Sequence, residues 1–200
     1  MLVNHMILHS GYQPLPVDNF LYEYLFASNG VFVHAKRKDM EVMIPVMAYE
    51  TNLVRGLEKI EPYVHLPKLI AVEHLQAILR VSRKAIPNEA LFYCIFANGN
   101  WRTVMPAQDA SHAAVKPKDG FNTLAVEAVI EIHSHNYMDA FFSSQDNADE
   151  TGLKLFIVLG QLDNDRVQIR ARVGVYGHFY EIPANWIFEE MIEVDDVSEF

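Results

Sequence analysis

Apolar and polar positions change period several times along the 200 residues. Phe20 to Ala27 is an aromatic and aliphatic run halted by Ser28-Asn29-Gly30, a strong turn signal. Val31 to Ala35 and Glu41 to Met47 then form two apolar arms about the polar Lys36-Arg37-Lys38-Asp39. That pattern predicts a meander of two or three strands, with His34 as a structural residue inside one arm. A piece of this size is marginal alone. Residues 1–64 therefore read as a small β-rich extension, and residues 65–200 as the main domain. Thr51 to Pro67, with Gly56 and Pro62, reads as the connection.

The period then becomes helical. Leu69, Val72, Leu75 and Leu79 recur at three- and four-residue steps within Lys68 to Ala85, and Pro87-Asn88 closes the helix. Ala90 to Ala97 and Trp101 to Met105 read as strands about the Asn98-Gly99-Asn100 turn. Ala107 to Asn122, holding His112, Pro117 and Gly120, reads as a loop. Leu124 to Ile132 reads as a strand, and about Gln145 to Glu150 as a helix. Leu153 to Leu159 and Val167 to Val175 are further strands about Asp163-Asn164-Asp165. Phe179 to Ile182 predicts a short strand, and Ala184 to Ile192 a final helix.

Composition narrows the classes. Half the residues are hydrophobic, enough for a packed core. A net charge of −10 argues against nonspecific nucleic-acid binding, which needs a basic surface. No apolar run approaches the roughly 18 residues of a membrane span. Met1 to Ser10 lacks the basic-then-apolar order of a signal peptide. The single cysteine, Cys94, allows no internal disulfide and suits a reducing compartment, so a cytoplasmic location is expected. Cys94 itself reads as a core residue. Between Asn185 and Phe200 lie six carboxylates and no Lys or Arg. That tail predicts a solvated helix end and a frayed terminus, or a docking strip for a basic partner.

The chemistry gathers at His133-Ser134-His135 and Asp146. Two residues apart on a strand, His133 and His135 share a face. Ser143, three residues before Asp146, has the spacing of a capping box, which places Asp146 in the first turn of the next helix. Two imidazoles and a carboxylate can converge there, a donor set suited to catalytic zinc. Among nine histidines a His-x-His pair arises readily by chance, and Ser-x-x-Asp alone is usually only a cap. The ordered combination His-x-His-x7-Ser-x2-Asp across a strand end and a helix start is far more specific.

That combination resembles the JAMM (JAB/MPN-plus) zinc metalloprotease family, including the Phe141-Phe142-Ser143-Ser144 approach to the aspartate. The resemblance covers about residues 65–183. It implies an α+β (α/β/α-like) fold with a curved mixed sheet flanked by helices and Zn2+ at one sheet edge. It further implies His133, His135 and Asp146 as ligands, Glu89 as catalytic base and Ser143 as an oxyanion donor. On strand periodicity alone, Glu131 and then Glu127 rival Glu89, since both share a face with His133. The implied reaction is hydrolysis of an amide or isopeptide bond at a protein tail, ubiquitin-like in many members. Within the family the chain looks most like the PRTRC system A proteins, which accompany an E1-like (ThiF-related) protein and so suggest such a partner. The alternatives are a non-catalytic MPN scaffold and a zinc hydrolase of another substrate class.

Two departures stand out. Asn136 follows the second histidine where the family favours Pro, which predicts a looser strand exit. Ala90-Leu91-Phe92 follow Glu89 where a Gly is usual, which bears on how closely a substrate tail approaches. The loop 107–122 is expected to shape the cleft. The extension is expected either to dock a partner or to cover a sheet edge.

Overall fold

The computed structural model describes residues 2–9, 11, 20–49, 53–118 and 123–200. Thr51, at the head of the expected connection, and Gly120 to Asn122, at the end of the expected loop, lie outside the described residues. The chain divides into two compact units, Met1–Leu66 and Pro67–Phe200.

The first unit is a five-stranded sheet in chain order: β1 (Val3–Ile7), β2 (Tyr22–Ala27), β3 (Gly30–Arg37), β4 (Met40–Ala48) and β5 (Tyr63–His65). The β1–β2 pair is parallel and the others antiparallel. The expected meander is β2–β4; β1 and the three-residue β5 add to both edges. Gly30 turns the β2–β3 hairpin, and a Cβ there would sit 2.1 Å from the Met47 carbonyl oxygen, so no other residue fits. Leu8, Leu25, Ala27, Phe32 and Met43 form an apolar cluster.

One polar row crosses all five strands. Asn4 Nδ2 donates to Glu23 Oε2 (3.2 Å), and Glu23 Oε1 lies 3.0 Å from His34 Nδ1. His34 Nε2 lies 3.0 Å from Glu41 Oε1, which also accepts from the Tyr63 hydroxyl (3.2 Å). Both ring nitrogens of buried His34 therefore face carboxylates, an arrangement that needs the imidazolium. Burial opposes that charge, but the bonds to Glu23 and Glu41 outweigh it and hold the pKa above its ordinary value.

The second unit contains α1 (Val72–Ala85), β6 (Leu91–Ala97), β7 (Asn100–Val104), β8 (Gln108–Ala110), β9 (Val115–Pro117), α2 (Thr123–Glu127), β10 (Ile130–Ser134), α3 (Ser144–Asp149), β11 (Leu153–Gly160), β12 (Val167–Val175), β13 (His178–Glu181) and β14 (Val194–Asp196). Its main sheet runs β13-β12-β11-β10-β6-β7, with β14 also on β12. β10–β11 and β12–β14 are parallel and the other pairs antiparallel. This is a mixed α+β sheet, as the resemblance implies. The helix α1 buries Leu75, Ile78 and Leu79. It reaches from β7, where His74 Nδ1 meets Thr103 Oγ1 at 2.9 Å, to the end of β11, where Arg83 Nε donates to the Leu162 carbonyl (3.1 Å). Cys94 is buried in β6, and burial pushes its thiol up to about 11. Among the described residues no helix is long and apolar enough to cross a membrane.

Five expectations are corrected here. Helix α1 begins at Val72, not Lys68, because Ile70 bridges to Phe188 in an extended segment. Leu124 to Ile132 is not one strand: Leu124, Ala125 and Ala128 pack against Leu91 and Tyr93 at helical spacing before the period changes to two at Ile130. The loop 107–122 contains the β8–β9 hairpin. The final helix is only a 3-10 turn, Ala184–Trp186, and the acidic tail is docked rather than frayed. Ile187, Phe188 and Val194 are buried, while Glu193, Asp195 and Glu199 pair with Arg83, Arg166 and Arg170.

Candidate metal centre

Strand β10 alternates strictly. Ile130, Ile132 and Ser134 are buried, while Glu131 and His133 point to the opposite face. The chain then leaves the sheet, but it remains anchored: His135 N donates to the Leu159 carbonyl (2.7 Å). Asn136 follows with φ +51, a left-handed conformation that proline, locked near −65°, cannot adopt. Its side chain donates to the Pro87 carbonyl (2.8 Å), and its own carbonyl accepts from Leu162 N (2.8 Å). The exit is thus fixed, and the expected looseness is not observed. The following loop presses onto β11 so closely that a Cβ on Gly160 would lie 2.2 Å from Ala140 N.

Helix α3 brings in the third candidate ligand, Asp146. Ser143 Oγ accepts from Asp146 N (3.1 Å), and Asp146 Oδ2 accepts from Ser143 N (2.6 Å), a reciprocal capping box. One carboxylate oxygen is thereby held by the cap while Oδ1 lies 3.4 Å from His133 Nε2. His133 Nε2 and His135 Nε2 are 3.1 Å apart, and the ligand atoms of all three residues lie within 4.8 Å of one another. Burial pushes the His133 pKa down to about 4, opposed by Asp146, and also lowers that of His135. Both rings are then neutral near pH 7, with lone pairs available to a cation. Two facing imidazole nitrogens beside a carboxylate match the donor preference of zinc. The residues fit a metal.

The three line a cavity of about 100 Å³ together with Glu89, Glu131 and Ser143. Glu89 precedes β6 and is buried. Its backbone is held on both sides: Glu89 N donates to the Ser111 carbonyl (2.8 Å), and Ala90 N to Ser134 Oγ (2.9 Å). Burial and then the charge of Asp146 push its pKa up to about 7, suited to accepting and returning a proton. Glu131 lines the same cavity but is ion-paired with Lys154 (3.2 Å). Glu127 lies exposed on α2, so it does not share the strand face with His133 as expected.

Sequence reasoning missed several residues around the site. In the sequence Ser134 reads only as the spacer between two histidines, whereas its hydroxyl holds Ala90 N beside Glu89. The β8–β9 hairpin supplies Val115 and Lys116 to the cavity wall. Arg172 of β12 stands out in the sequence only as a guanidinium between Ala171 and Val173.

A profile of the family described as prokaryotic homologs of the JAB domain matches residues 71–173, a span that includes Glu89, His133, His135, Ser143 and Asp146. No curated protein matches. Among solved structures, the solution structure of protein DSY2949 from Desulfitobacterium hafniense aligns at 13% identity over 66% of this chain and 95% of that one, with a TM-score of 0.39. That likeness is too remote to carry a structural inference.

Proposed function

The chain belongs to the family of prokaryotic homologs of the JAB domain, and on that premise we propose that it is a zinc-dependent peptidase or isopeptidase. The observation that carries the reading is the convergence of His133, His135 and Asp146 beside Glu89 in one cavity. Zinc held by those three residues would supply a Lewis acid that polarises a carbonyl and acidifies water. Glu89 takes the proton of the attacking water and delivers it to the departing amine. A carboxyl near pH 7 serves both directions. The Ser143 oxygen accepts from Asp146 N, which leaves its hydroxyl proton free to donate to the developing oxyanion.

The substrate in this reading is a protein tail, ubiquitin-like in character, and an E1-like (ThiF-related) protein is the candidate partner. The β-rich N-terminal unit and the Asn136 variant support the narrower kinship with PRTRC system A proteins, and the lone buried cysteine suits the cytoplasm. A non-catalytic scaffold is the second reading, because the fold also serves partner binding; retention of both the donor set and Glu89 weighs against it. The test uses zinc-loaded protein and peptides carrying a Gly-Gly isopeptide on lysine. Wild type should release the tail, and Glu89→Gln should hold zinc but turn over about 10² to 10⁴-fold more slowly. Unchanged turnover in Glu89→Gln would refute the assignment, and an inert wild type would favour the scaffold.

A further inference from the structure

We propose that Arg172 is a positioning residue, bracing helix α3 so that Asp146 stays aligned with His133 and His135. The inference rests on the metal-site reading above.

Helix α3 is a weak element by itself. It has six residues, none buried, and its only aliphatic side chain, Ala148, is exposed. A helix this short has little intrinsic stability, and here no apolar face holds it to the sheet. Its capping box fixes the first turn internally but does not fix where that turn lies. Apart from the Asp146–His133 contact within the site itself (3.4 Å), two polar ties do so among the described residues. One is the Lys116–Asp149 pair (3.4 Å), exposed at both ends and therefore weak and screened by salt.

The other is Arg172. Its guanidinium stacks on the rings of Phe142, just before the helix (3.8 Å), and Phe179 of β13 (3.9 Å). From that seat Nη1 donates to Asn147 Oδ1 (2.6 Å) and Nε to Glu150 Oε2 (2.8 Å). Asn147 directly follows the ligand Asp146, and Glu150 N donates to the Asp146 carbonyl (2.8 Å) as the helix closes. The fork therefore grips residues on the C-terminal side of Asp146, while Phe142, one residue before Ser143, stacks on the same group. Arg172 and Glu150 are both buried, so solvent does not loosen the contact. A lysine could not reproduce this combination of flat stacking and two directed donors.

The test is zinc affinity, measured by competition with a chromogenic chelator, alongside melting midpoint. Arg172→Met alone would leave Glu150 buried without its cation, so Arg172→Met with Glu150→Gln is the informative variant. It should melt near wild type yet bind zinc about 10 to 100-fold more weakly, the usual cost of losing a ligand's supporting contact. Asn147→Ala changes one exposed side chain and should weaken zinc several-fold without affecting the fold. It decides the matter if the double variant does not fold. Wild-type zinc affinity in a folded double variant, or in Asn147→Ala should the double variant not fold, would overturn the role of Arg172 and leave the metal site standing. A folded wild type that binds no zinc would overturn the metal site itself, and the bracing role with it.

Discussion

Both units bury histidines on the face of a sheet, and they treat them in opposite ways. In the N-terminal unit His34 lies between Glu23 and Glu41, each 3.0 Å away, so its charge is satisfied by the fold. In the second unit His133 and His135 face each other at 3.1 Å, with Asp146 to one side. The first pKa is raised and the other two are lowered. The difference separates a histidine satisfied by the fold from one whose ring nitrogen is placed to serve as a ligand. Bonded by carboxylates at both nitrogens, a ring has no lone pair left for a metal. A pair of rings held neutral by burial, nitrogen toward nitrogen, keeps lone pairs that a cation would satisfy.

The strongest way to break this comparison is to remove the structural ring. His34→Ala would leave Glu23 and Glu41 without their shared cation, with Glu23 buried. Loss of one partner from such a group costs about 3 to 5 kcal/mol. Amide protection of β2 to β4 should fall by hydrogen exchange, whereas zinc content should not change. Full protection in the variant would show that the row across the five strands does not stabilise the sheet.

Ser143→Ala sharpens the other side. Loss of the cap alone should cost about 1 kcal/mol of stability. If the hydroxyl also donates to the oxyanion, kcat should fall by a further factor of about 10² to 10³. Comparing melting midpoint with kcat separates the two roles.

A smaller effect is the opposite pH response of the two regions in metal-free protein. The folded pKa of His34 exceeds its unfolded value of about 6.5. Its contribution is therefore fully present below that value and is lost as pH rises through the folded pKa. His133 is the reverse: with a folded pKa of about 4, the unfolded chain binds more protons between about 4 and 6.5, so stability rises with pH across that window. Imidazole signals followed by NMR should titrate above about 6.5 for His34 and below it for His133. Matching titrations would undo the distinction.

The convergence of His133, His135 and Asp146 was legible because it depends on local rules: alternation along a strand and a cap three residues ahead of a carboxylate. Asn136 shows what local rules leave out. Its replacement of proline suggested looseness, whereas the left-handed backbone it permits is locked by bonds to Pro87 and Leu162, far away in sequence. The acidic tail misled for a related reason. Its charge pattern resembled a solvated helix, but Val194 is buried and the pairing of β14 with β12 depends on a strand more than twenty residues earlier. Leu124 to Ile132 failed at a change of period, where two short elements of different kinds share one apolar run. Arg172 shows in the sequence only as a guanidinium between two apolar strand residues; its role lies in contacts with Phe142, Asn147, Glu150 and Phe179, none adjacent to it in the chain.

The most direct measurement of the central claim is elemental analysis of purified wild type, His135→Ala and Asp146→Ala after equal exposure to zinc. About one zinc per wild-type chain is expected, and little in either folded variant. Equal zinc in all three proteins would contradict the assignment of these residues as the metal site.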